Sequence, residues 1–189
     1  MKVIAILSAL ATVAFAKSGN NVVSTDVARD TTLAYNGFQN ADGTFDALVP
    51  KGLKDTLVTF KGNRDYERIL LGFDMPSKVK DPSQITKCVL HVPTPKDAPS
   101  GSYSLTAFSA SSNWDEATAN AQTQITSVRQ VGSVSVSDKD EKPGDIDITG
   151  ACQAAAEGKF SIFLDTSGPA VTFYSHQANK DKFSVDITY

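Results

Sequence analysis

Apolar and polar residues alternate along most of this chain with a period of two. Cys88, Leu90 and Val92 share one parity, and Tyr103, Leu105 and Ala107 alternate with Ser104 and Thr106. Phe160, Ile162 and Leu164 share a face, Ile146 and Ile148 flank Asp147, and Phe183, Val185 and Ile187 alternate with Ser184, Asp186 and Thr188. Two further runs, 56–60 and 69–73, are apolar or β-branched and of strand length, and 133–137 reads as a strand with serines on its wet face. Alternation of this kind predicts strands with one buried and one solvated face. Turn signals such as Asp42-Gly43, Lys61-Gly62-Asn63, Asp81-Pro82, Pro143-Gly144 and Gly168-Pro169 break the runs at short intervals. Together they predict an all-β fold, an antiparallel two-sheet β-sandwich of jelly-roll type. The one α-helix expected is short, Gly150 to Glu157, Ala-rich and bounded by Gly150 and Gly158.

The first residues follow a different pattern. Lys2, the apolar run from Val3 to Phe15 and the small-x-small triplet Ala14-Phe15-Ala16 read as a signal peptide over 1–16. That leaves 17–189 as a single sandwich domain, expected to be secreted and extracellular. The apolar run is shorter than the roughly 20 residues that span a bilayer. No later stretch is long and apolar enough to do so, and no membrane insertion is expected. The formal net charge of -3 comes with scattered Lys and Arg, which argues against nucleic acid and anionic membranes as partners. Two cysteines, Cys88 and Cys152, suggest a bridge in an oxidising compartment, the alternative being two buried thiols that never meet.

Several residues carry candidate chemistry, each with a structural alternative. Trp114, the one tryptophan, offers a flat apolar face for a sugar ring if exposed; otherwise it packs a loop onto the sandwich, tied down by Glu116 and Thr118. Arg64 and Arg68 bracket Tyr66 and Glu67. Arginine forks grip carboxylates, so they could hold a uronic acid, or else form an ion pair with Asp65, Glu67 or Asp74. Asp26, Asp30 and Asp186 are weak candidates for a calcium site, although no EF-hand spacing is present. No other cofactor is expected. Of the two histidines, His91 should be exposed, and His176 sits beside Tyr174. A Tyr, His and Arg cluster could serve a polysaccharide lyase. No serine-nucleophile elbow, P-loop or dinucleotide fingerprint occurs.

The order of motifs resembles the DNRLRE-type domains and the related family of carbohydrate-binding modules that includes alginate binders. The run 22–33 looks like the opening strand, with Asp26 in its early acidic position. Asn63-Arg64 and the run 68–74 resemble the Asn-Arg and apolar-x-Phe-Asp element, and 85–92 looks like the next strand. Trp114, Glu116 and Thr118 match the Trp-x-Glu-x-Thr signature, 145–149 resembles the entry to the short helix, and Phe173-Tyr174-Ser175 with the closing strand fits the final hairpin. Where the family often has a second Trp, this chain has Ala119-Asn120-Ala121. The resemblance implies a secreted, non-catalytic sandwich that binds a polysaccharide or a cell-surface or cell-wall glycan. Trp114, Arg64, Tyr66, Tyr174 and His176 are its candidate contacts. A secreted structural, adhesive or host-interaction protein with a protein partner is the alternative, and a small lyase or hydrolase is the third reading.

Overall fold

The computed structural model describes residues 21–138, 140 and 142–189; the signal-peptide reading of 1–16 lies outside them. Among the described residues, ten strands run in the order β1 (Val22–Tyr35), β2 (Thr56–Lys61), β3 (Tyr66–Asp74), β4 (Lys87–His91), β5 (Tyr103–Ala110), β6 (Ser127–Val136), β7 (Ile146–Asp147), β8 (Lys159–Thr166), β9 (Val171–Tyr174) and β10 (Ser184–Thr188). One α-helix, α1 (Thr149–Gln153), lies between β7 and β8. Every strand pairing is antiparallel. The all-β sandwich expected from the alternation is the fold observed.

β1 joins the two layers. Its first half pairs with β10, from Val22 opposite Thr188 to Asp26 opposite Ser184. After a register shift between Val27 and Arg29, its second half pairs with β3 as far as Tyr35 opposite Tyr66. A bulge adds twist and bends a strand, which is what lets one strand serve both layers. One layer then runs β1-β10-β4-β7 and the other β6-β5-β8-β3-β1, with β2 pairing β3 and β9. The sheet nearly closes where β6 approaches β7. A Cβ on Gly132 would stand 2.2 Å from the Asp147 carbonyl oxygen, so only glycine admits the approach.

The inward parities predicted from sequence fill the space between the layers. Cys88, Leu90, Leu71, Phe73, Leu105, Ile162, Leu164, Val185 and Ile187 are all fully buried there. The Phe73 and Phe160 rings stack at 5.1 Å. Cys88 and Cys152 form a disulfide with Cα atoms 6.4 Å apart, tying β4 to α1 across 64 residues. Closing a loop of that length removes disorder from the unfolded chain worth about 4 kcal/mol. The helix is shorter than the expected Gly150 to Glu157. Glu157 and Gly158 adopt left-handed φ values of 53° and 72°, and Ala156 pairs back with Lys159. The chain thus reverses into β8 before a second helical turn can form.

A second, smaller cluster sits on the outer face of the β6-β5-β8-β3-β1 layer. Leu33, Leu70 and Phe163 are covered there by Trp114 and Ala119 from the strandless segment 111–126. This loop divides the outer face into a covered end and an open end.

Candidate functional site: the open end of the outer sheet face

The open end is built by strand register. Tyr66 opens β3 opposite Tyr35, the last residue of β1. Arg68, two residues on, points to the same side and faces β8, where Asp165 lies opposite Thr106 of β5. Phe108 of β5 lies opposite Phe163 and completes the wall. Tyr66, Arg68, Thr106, Phe108 and Asp165, with Lys61 at the end of β2 and Arg64 in the β2–β3 turn, are among the residues that line a groove of about 610 Å³.

Its aromatic platform is Tyr66, which is 42% exposed. The Tyr35 ring lies behind it at 4.6 Å and 15° between planes, so Tyr66 is braced by a near-parallel stack. Burial raises the Tyr35 hydroxyl above the usual phenol range, against the pull of the nearby Arg68 charge. Arg68 forms the floor. Its guanidinium lies 3.9 Å from the Phe163 ring centroid and 5.4 Å from that of Phe108, and its Nε donates to Asp165 Oδ1 at 2.7 Å. The expected ion pair of Arg68 is real, but its partner is Asp165 from β8 rather than Asp65, Glu67 or Asp74. The latter three are near in sequence, whereas the ladder places Asp165 directly across the sheet. Glu67 instead accepts from Lys51 at 2.9 Å, and Asp46 shares that lysine at 3.0 Å. Burial works against the Lys51 charge, but the two carboxylates outweigh it and raise the ammonium above the ordinary lysine value. Lys61 and Arg64 add two cationic side chains to the groove lining.

The remaining candidates lie elsewhere. Trp114 is 7% exposed, and its Nε1 donates to Ser161 Oγ at 3.1 Å. The Arg29 guanidinium covers its ring at 4.7 Å. A Cβ on Gly72 would come within 2.9 Å of Trp114 Cζ2, so the indole is seated against bare backbone. Of the two readings of Trp114, the buried indole matches the packed one: it closes the second cluster over Leu33, Leu70 and Phe163. Tyr174 is half-buried in a shallow hollow with Pro95, Asn179 and Lys180, apart from the residues that line the groove. His176 meets neither Tyr174 nor Arg64 in that groove. Its Nδ1 lies 3.2 Å from both Asp30 Oδ1 and Glu116 Oε1.

The suggested calcium trio does not converge. Asp186 accepts from Ser24 Oγ at 2.5 Å and lies 3.1 Å from His91 Nε2, while Asp26 is exposed on the outer part of β1. The Ser24 hydroxyl, together with His91, holds the Asp186 carboxyl below the usual carboxylate range. Asp30 is fully buried, beside the half-buried Glu116 and His176. Burial pushes its carboxyl up to about 6, against the His176 amide and charge, with Glu116 adding to the rise. Strand parity alone could not separate these aspartates, because the bulge after Val27 changes which side of β1 faces inward. Glu116 does tie the loop down, but through β1, accepting from the Asp30 N–H at 2.7 Å. Sequence reasoning missed Phe108, Asp165 and Lys61 as groove residues. For Phe108 and Asp165 the one signal is shared parity with Thr106 and Phe163, which becomes useful only once strand order is known.

No curated protein matches this chain. A family model does match, over residues 46–189, which takes in every strand except β1 and the whole lining of the groove. The chain belongs to carbohydrate-binding module family 96.

Proposed function

We propose that this is a secreted, non-catalytic polysaccharide-binding protein that holds an acidic, uronate-bearing chain in the groove at the open end of the outer sheet face. The observation that carries the reading is Tyr66, exposed and braced by Tyr35 beside the Arg68–Asp165 pair. A braced ring loses little freedom when a sugar stacks on it. The Arg68–Asp165 pair offers fixed donors and acceptors to ring hydroxyls, and Lys61 and Arg64 supply charge for carboxylates. The similarity to alginate binders seen in the motif order supports the same ligand class. A buried disulfide suits an oxidising compartment outside the cell. The groove reading does not draw on the Tyr, His and Arg cluster of the lyase reading, since Tyr174 and His176 lie outside the groove lining.

Affinity electrophoresis of the protein through gels holding neutral and acidic polysaccharides tests this. Retardation by a polyuronate, lost in Tyr66→Ala with the fold intact, is expected. No retardation by any polymer would favour the protein-interaction reading. Phe38, Phe45, Leu48 and Leu53 are the observation behind that alternative, since all four are exposed on the segment between β1 and β2.

A further inference from the structure

His176 lies outside the groove, in a cluster assembled from three separate parts of the chain. Asp30 comes from β1, Glu116 from the loop that covers the sheet, and His176 from the stretch after β9. One donor atom from each lies within 4.8 Å of the other two. The carboxylates are held in place by backbone: the His176 N–H donates to Asp30 Oδ2 at 2.6 Å, and the Asp30 N–H donates to Glu116 Oε1 at 2.7 Å. The Asp30 side chain is 0% exposed. Yet Asp30 Oδ1 and His176 Nδ1 are both buried without a hydrogen-bond partner, despite standing 3.2 Å apart. Unsatisfied buried polar atoms are rare in folded proteins and call for a cause.

We propose that Asp30, Glu116 and His176 bind one divalent transition-metal ion of the zinc class, with water completing its shell. Zinc takes imidazole nitrogen and carboxylate oxygen at about 2.0–2.2 Å, which separates donors around a tetrahedral centre by about 3.3–3.6 Å. Both distances from His176 Nδ1 are 3.2 Å, so a slight outward shift admits the ion. Calcium and magnesium take oxygen ligands, and the imidazole selects against them. Two carboxylates balance the charge of the ion. Asp30 Oδ2, anchored to backbone, leaves Oδ1 free to ligate, as second hydrogen bonds do at established metal sites. Glu116 and His176 are 18% and 24% exposed, which leaves a path for entry. The ion would pin the covering loop to β1 and to the end of β9, two residues from Trp114. It would act on the covered end of the face, independently of any glycan.

Calorimetric titration of the chelator-treated full chain with Zn²⁺, beside Ca²⁺ and Mg²⁺, tests the site. One zinc ion per chain at micromolar affinity or tighter is expected, with no heat from calcium or magnesium. Co²⁺ should give a visible absorption band of tetrahedral character. His176→Gln and Glu116→Gln should each weaken zinc binding by about tenfold or more and abolish the cobalt band. His91→Gln, at the other histidine, should change neither. Absence of zinc binding by the unaltered chain, retention in His176→Gln, or loss in His91→Gln would each overturn the proposal.

Discussion

At the covered end of the outer face, Trp114 lies over Leu33, Leu70 and Phe163, 7% exposed and capped by Arg29. At the open end, on the same face of the same strands, Tyr66 is 42% exposed. Each aromatic has an arginine nearby and a neighbouring strand beneath it. What separates them is the loop 111–126, which reaches one end and stops short of the other. Coverage, rather than aromatic type, separates the two ends, and coverage is set by the connection between β5 and β6. The covered end contributes stability and shape, and the open end is the surface proposed to meet the ligand.

If that division is right, the two aromatics should fail in different ways when truncated. The largest effect belongs to Trp114→Ala, which removes the cover of the second cluster and should destabilise the fold by about 3–5 kcal/mol in chemical denaturation. Cys88→Ser with Cys152→Ser should cost about 2–4 kcal/mol, with polysaccharide binding retained by the folded fraction, because the bridge lies in the other layer. Tyr66→Ala should weaken polysaccharide binding by about tenfold, or about 1.4 kcal/mol, while its unfolding midpoint barely moves. Arg64→Ala should weaken binding of acidic polymers less than that, and the loss should shrink as salt rises, because exposed charges are screened.

The smallest effect lies far from both ends, at His91 on β4. Burial works against its charge, but Asp186 and Asp145 outweigh it and raise the imidazole above its ordinary 6.5. A raised folded value means that the charged pair stabilises fully below the unfolded pKa and is lost as pH climbs through the folded one. His91 is a third exposed, so screening keeps the term below about 1 kcal/mol. Thermal unfolding should show the unaltered protein gaining on His91→Gln as pH falls from about 8 to about 6.

The strands were legible in the sequence because parity is local. Cys88, Leu90 and Val92 alternate, and all three are buried. The same logic gave each strand one wet face, and on the second layer that was only half right, since Trp114 and Ala119 cover Leu70 and Phe163. Nothing in 111–126 announces which sheet face it will lie on. Arg68 shows the same limit. Its need for a carboxylate was readable, but Asp165 stands 97 residues away and becomes its neighbour only through the β3–β8 ladder. The cluster of Asp30, Glu116 and His176 spans 146 residues, and strand periodicity carries no information about such meetings. The motif order helped where periodicity could not, since it pointed to a carbohydrate-binding module before any strand order was known.

The central claim is that the open end, and not the Trp114 end, meets the ligand. Nuclear magnetic resonance of the isotope-labelled protein, titrated with a short oligouronate, would test it most directly. Perturbed amides clustered at Tyr66, Arg68, Thr106 and Asp165, with the Trp114 indole signal unmoved, are the predicted result. Perturbations centred on Trp114 or on the hollow beside Tyr174, with Tyr66 unaffected, would contradict it.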